Sequence, residues 1–183
     1  MDGIVSLLDA EHERRVRAIW RELESDFGLL RVRQIVPFPH VTFLGAGRFE
    51  EQRIGPILER IARDAQPFTV RTAGLGIFTG AAPVLTIAVV RDAALDAFHR
   101  HVWDAVGDAA SDFAPYYAPG DRWMPHITLA QHDLTCDNLP PVTAALCGRD
   151  FEWDIRIDNL ALLVEDVGLY TYGIRRYEFG AGQ

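Results

Sequence analysis

The sequence predicts an α+β protein of two sheet-containing lobes, and three observations carry that prediction. Strand-like and helix-like segments alternate twice in the order strand, helix, strand, helix, and a final strand pair closes the chain. A short Pro-His-apolar-Thr motif occurs at 39–43 and again at 125–129. The 183 residues, 49% hydrophobic and 24% charged, suit a folded chain able to bury a sizeable core. Residues 1–183 are therefore expected to form a single domain of two intertwined lobes.

The elements follow in order. Residues 4–8 read as a short buried strand. Residues 10–27 read as a helix because Val16, Ile19, Trp20 and Leu23 recur at helical spacing among charges, and Gly28 supplies its stop. Residues 35–44 read as extended, since Pro37 and Pro39 oppose helix while Val41 and Phe43 supply strand-forming bulk. A second amphipathic helix is expected over 50–65, with Ile54, Ile57, Leu58 and Ile61 facing inward. Strands at 68–75 and 84–90 come next, joined by the loop 76–83. A third helix covers 92–109 through Leu95, Phe98, Val102 and Val106, and 113–125, rich in Tyr, Pro and Gly, reads as an ordered loop. Residues 126–130 are strand-like and 139–146 helical. Residues 151–164 and 169–179 make the closing strands, with Gly168 in their turn.

Charge narrows the partners. A formal net charge of −8 repels long polyanions, and the basic clusters Arg14-Arg15-Val16-Arg17 and Arg31-Val32-Arg33 are too short to form a backbone-tracking stripe. A small nucleotide or an RNA terminus stays compatible, because a local pocket can oppose the global field. The apolar run from Val84 to Val90 is too short to span a bilayer, and the N-terminal residues lack the basic lead of a secretory signal. The cytoplasm is the expected compartment, with no membrane partner. Cys136 and Cys147 form no metal-type pair and are expected to be buried or partly buried small side chains.

The repeated motif carries the chemistry. On a strand, alternate side chains share a face, so His40 and Thr42 point together, as do His126 and Thr128, while Val41 and Ile127 turn to the core. Two imidazoles can divide proton transfer at a phosphodiester, one removing a proton from water and the other protonating the departing oxygen. Two threonine hydroxyls can donate to the non-bridging oxygens. A lone strand His or Thr is ordinary, but two Pro-led copies in the same phase point to a site. Zinc ligation by paired His is the rival reading, and no Asp, Glu or Cys inside either motif completes a ligand set. No metal and no cofactor is expected.

These motifs resemble those of the 2H phosphoesterase superfamily, in the layout of its 2′-5′ RNA ligase and cyclic phosphodiesterase branch. The resemblance runs from the opening strand and helix through His40-Val41-Thr42, the middle strands and His126-Ile127-Thr128 to Tyr177-Glu178-Phe179. It implies a bilobal fold of pseudo-symmetric lobes flanking a central cleft, with one His-x-Thr strand from each. It also implies metal-free action on 2′,3′-cyclic phosphates or related 2′-5′ and cyclic phosphodiesters, and RNA ligation in some members. Many relatives carry a basic residue just after the second motif's apolar pair, where this chain has Gln131.

Beyond the motifs, Phe78 and Trp123 are candidates to stack on a base, against the alternative that each closes a core edge. Arg122 and Arg48 are candidates for phosphate contact, against that of solvated surface residues. His99 and His101 are read as helix-surface or edge residues, and His12 and His132 have no evident partner. Two further functions stay open: a nucleotide-binding module without turnover, and RNA 2′-5′ end ligation or trimming.

Overall fold

The structure, a computed structural model, describes residues 1–166 and 171–180. Among these the chain runs β1 (Asp2–Leu7), α1 (Ala10–Phe27), α2 (Arg31–Ile35), β2 (His40–Phe49), α3 (Glu51–Asp64), β3 (Phe68–Phe78) and β4 (Val84–Val89). It continues through α4 (Ala93–Val106), β5 (Ala110–Phe113), β6 (His126–Ala130), α5 (Leu139–Leu146), β7 (Asp154–Ile157), β8 (Asn159–Asp166) and β9 (Thr171–Glu178). This is the α+β class the sequence predicts. No described helix is long and apolar enough to cross a membrane.

Two antiparallel sheets form, ordered β5-β2-β1-β8-β9 and β6-β4-β3-β7. Apart from β5 they share one plan. A motif strand, β2 or β6, lies beside a strand that precedes it in the chain: α1 and α2 separate β1 from β2, and α4 and β5 separate β4 from β6. β5 pairs with β2 only from Ala46 onward, so the stretch from His40 to Phe43 has an open edge like that of β6. Most of the core lies between the sheets and the helices packed on them, with Val16, Trp20, Phe43, Leu58, Leu95 and Ile127 buried in one continuous cluster. A smaller group, Val5, Ala161 and Leu163, packs with Val36 and Phe38.

Local chemistry sets the boundaries. Asp9 starts α1, its Oδ1 accepting from the backbone N–H of Glu11 and His12 at 3.1 and 3.0 Å, and Gly28 ends it at φ 70°, where a side chain would be strained. The expected extended stretch 35–44 starts late: Ile35 closes the short helix 31–35, and β2 begins only at His40, after Pro37 and Pro39. The stretch 151–164 is not one strand. It leaves the second sheet after β7 and enters the first as β8, with the turn at Asp158. The buried Asn159 side chain secures the crossing, its amide donating to Leu7 O at 3.0 Å and its carbonyl accepting from Leu7 N at 2.9 Å. The expected turn at Gly168 lies outside the described residues.

Three further expectations are corrected in the fold. Cys136 and Cys147 are both exposed, on the loop before α5 and at its end, where no core needs filling. Phe113, read as the first residue of the loop 113–125, is instead the last of β5, a strand at the edge of the first sheet. His12 does have a partner: its Nδ1 lies 2.7 Å from Asp9 Oδ2.

Candidate active site

Both motif strands are held by the same local devices. Pro39 O accepts from Leu8 N and Pro125 O from Val89 N, so each proline gives an acceptor to the neighbouring strand where it has no donor to give. The pairing sets His40 opposite Leu7 and Thr42 opposite Val5, and sets His126 opposite Ala88 and Thr128 opposite Thr86. Val41 and Ile127 are buried as the alternation requires. His40, Thr42, His126 and Thr128 all face one cleft of about 600 Å³.

The imidazoles are fixed in matching orientations. His40 Nδ1 lies 2.6 Å from Phe38 O and His126 Nδ1 lies 2.7 Å from Met124 O, in each case the carbonyl two residues earlier. A carbonyl only accepts, so each Nδ1 carries the proton and each neutral ring keeps its lone pair on Nε2. Burial pushes both imidazoles below the ordinary value of 6.5, and for His40 the positive charge His126 would carry adds to the push. The free site therefore holds two neutral imidazoles at neutral pH, each able to accept a proton. An anion seated between them would favour protonation of one.

Of the other candidates, Phe78 and Arg122 line the cleft. Phe78 meets His126 edge-on, ring centroids 4.8 Å apart, and Arg122 is exposed at the rim. Trp123 also borders the cleft but is only 1% exposed, so no ring face is open to a base. It closes the core instead, stacked on His99 at 3.7 Å with Arg91 over the ring and its Nε1–H donating to Thr42 O. Arg48 does not line the cleft and lies 4.0 Å from the carboxylate of Asp2. His132 and Gln131 reach the rim, and His101 is exposed on α4.

His99 is a correction. It is buried rather than at a helix surface, with Nε2 donating toward Tyr117 O at 2.9 Å and Phe43 O at 3.2 Å. The helical face through Leu95 and Val102 includes position 99, and α4 lies close enough on β2 to bury an imidazole that has such acceptors.

Sequence reasoning did not find Tyr117 or Trp20. Tyr117 packs over Gly45, where an added Cβ would sit 2.7 Å from the ring, and its phenol lies beside the Thr42 hydroxyl. Burial pushes that phenol up to about 12, so it keeps its proton at any working pH. Trp20, on the core face of α1, donates from Nε1 to Thr128 O at 3.1 Å. In sequence Trp20 looks like any other helix core residue; the Gly45–Tyr117 approach joins residues 72 positions apart and leaves no local signal. Among the described residues no three His, Cys, Asp or Glu side chains gather where they would hold a metal ion.

The sequence profile of the 2′-5′ RNA ligase superfamily matches residues 8–169. No curated protein matches the chain in sequence. Among solved structures, TT0787 of Thermus thermophilus is 17% identical with a TM-score of 0.69, the alignment covering 100% of this chain and 99% of that one. LigT of E. coli, solved with NADP+, is 15% identical at a TM-score of 0.58, over 97% and 96% of the two chains. Usb1 of Kluyveromyces marxianus is 12% identical at 0.54, over 97% of each. At such identities the likeness is one of fold.

Proposed function

Because the chain belongs to the 2′-5′ RNA ligase superfamily of 2H phosphoesterases, we propose that it is a metal-independent phosphodiesterase opening a 2′,3′-cyclic phosphate, or a related 2′-5′ or cyclic phosphodiester, on a small nucleotide or RNA end. The observation that carries this reading is the pair of matched anchors, Nδ1 of each histidine on a backbone carbonyl, which leaves both Nε2 atoms free in one cleft.

The step balances with water alone. One neutral imidazole takes a proton from water at Nε2 as the water oxygen bonds to phosphorus. The bond from phosphorus to a ribose oxygen breaks on the opposite side, and that oxygen takes a proton from Nε2–H of the other, protonated imidazole. Thr42 and Thr128 donate to the non-bridging oxygens, which gain charge in the transition state. The site then holds the same single proton on the other ring, and exchange with solvent resets it. In the reverse, joining direction the two histidines exchange roles.

The wall of the cleft supports a small substrate. Among the described residues Arg122 is the one Lys or Arg lining it, and the four residues 167–170 and the three residues 181–183 contain neither type. One phosphate is met by imidazolium, hydroxyls and one arginine, while a run of phosphates would find no further Lys or Arg among the described lining residues.

The test is product analysis with nucleoside 2′,3′-cyclic monophosphates beside a 2′-5′-linked dinucleotide. Conversion of the cyclic substrate to a single monophosphate is expected, and the phosphate's final position shows which ribose oxygen leaves. Tight binding of these nucleotides without product after long incubation would replace the enzyme by a nucleotide-binding module.

A further inference from the structure

The two motif strands meet across open edges, and each is held there by a tryptophan from the other half of the molecule. β2 is unpaired beyond β1 over His40 to Phe43, and β6 has β4 as its one described sheet neighbour, so each strand has backbone groups with no ladder partner. At Thr42 the carbonyl accepts from Trp123 Nε1, and at Thr128 the carbonyl accepts from Trp20 Nε1, both at 3.1 Å. Trp123 lies three residues before His126, and Trp20 lies on α1, between β1 and β2. The bonds are therefore crossed: the segment leading into the second motif grips the first, and the helix after β1 grips the second. Both indoles are buried, at 1% and 3% exposure, so each N–H is held out of bulk water and depends on its carbonyl.

We propose that Trp20 and Trp123 are reciprocal positioning residues that fix the separation and alignment of the two His-x-Thr pairs for in-line attack. This rests on the two-histidine reading above. An indole N–H on a buried side chain with only two rotatable bonds sets strand position more tightly than water at an open edge. The bond lands on the Thr itself, two residues from the His, so a shift there moves hydroxyl and imidazole together. Trp123 is in turn held on His99 at 3.7 Å with ring planes 15° apart, and Arg91 Nη1 donates to its backbone carbonyl at 3.0 Å. His99 donates to Tyr117 O, which ties the brace to the residue beside the Thr42 hydroxyl. Displacing one catalytic pair against the other spoils the transition state more than ground-state binding, because in-line geometry is demanded as bonds change.

Trp20→Phe and Trp123→Phe in the whole chain keep a ring and remove the donor. The expected result with a 2′,3′-cyclic monophosphate is a kcat lower by roughly ten- to a hundredfold, with KM changed less than about threefold. Inorganic phosphate should still bind at one site per chain, which a loss of folded protein would not allow. The histidine ring signals in NMR should move in the crossed pattern, Trp123→Phe displacing His40 more and Trp20→Phe displacing His126 more. A kcat within twofold of wild type in both variants, or the opposite pattern of displaced signals, overturns the proposal. Should the wild type open no cyclic phosphate at all, the reading of its reaction falls, and the pattern of histidine signals still decides this one.

Discussion

The half containing His40 and the half containing His126 have the same chemistry in different surroundings. Each has a Pro-led strand, an Nδ1 anchor on the carbonyl two residues back, and an indole on the Thr carbonyl. Around Thr42 the structure adds a half-buried phenol, a buried imidazole and an arginine: Tyr117, His99 and Arg91. Around His126 it adds instead the edge of Phe78 and the exposed side chains of Met124 and Arg122. In the proposed reaction, two-fold repetition is thus kept where the phosphorus would be met from both sides, and abandoned where the rest of the substrate would lie. The first half is the braced wall and the second the open one.

Removing either imidazole is the most severe way to break the comparison. His40→Ala and His126→Ala should each lower kcat by about a hundred- to ten-thousandfold, the usual worth of a positioned acid or base. Circular dichroism should show both variants folded. A large loss in one and a small loss in the other would mean that the halves do not share proton transfer.

Replacing the hydroxyls comes next. Thr42→Val and Thr128→Val each remove one charge-assisted hydrogen bond, worth about 1.5–3 kcal/mol, so kcat/KM should drop by roughly ten- to a hundredfold. If the braced wall holds the phosphate better, Thr42→Val is the costlier, and steady-state kinetics on the pair would show it.

The effect of pH sharpens the same contrast. Burial lowers His40, His99 and His126 below 6.5, so the doubly neutral site prevails at neutral pH and the working form, one ring protonated, grows as pH falls. The kcat/KM optimum should lie on the acid side of 6.5, and a plateau extending to pH 8 would contradict this. Stability moves the other way. Below 6.5 the unfolded chain binds more protons than the folded one, so stability present above 6.5 is lost as pH falls through the lowered folded values. The melting temperature should decline across that window.

Phe78→Leu is the mildest test. It removes an aromatic edge from His126 and nothing from His40, so a change in KM of about two- to fivefold with little change in kcat is expected, consistent with an aromatic contact of about 0.5–1.5 kcal/mol. A fall in kcat would make Phe78 part of the positioning of His126.

These contrasts also separate what the sequence displays from what it conceals. The helix at Ala10–Phe27 and the strand at His126–Ala130 were legible to the residue, because Gly28, Pro125 and the apolar periods act over a few neighbours. The alternation in His40-Val41-Thr42 reveals the shared cleft face for the same reason. The switch of sheets at Asp158 was hidden, since β7 and β8 read as one continuous strand and the distant Leu7 backbone engages Asn159. His99 looked like a surface residue because its acceptors, Phe43 O and Tyr117 O, come from other segments. Trp123 presented a ring and a donor but not their targets, and its partners Thr42 and His99 come from two different elements. Local periodicity specifies elements and faces, whereas the surroundings that make the two halves unequal are set by long-range contacts.

The most direct test of the central claim is turnover of a nucleoside 2′,3′-cyclic monophosphate by chelator-treated protein, with His40→Ala and His126→Ala measured alongside. The account predicts undiminished turnover by the wild type after chelation and near-complete loss in both variants. Activity that chelation abolishes and added metal restores, or that survives in either variant, would contradict it.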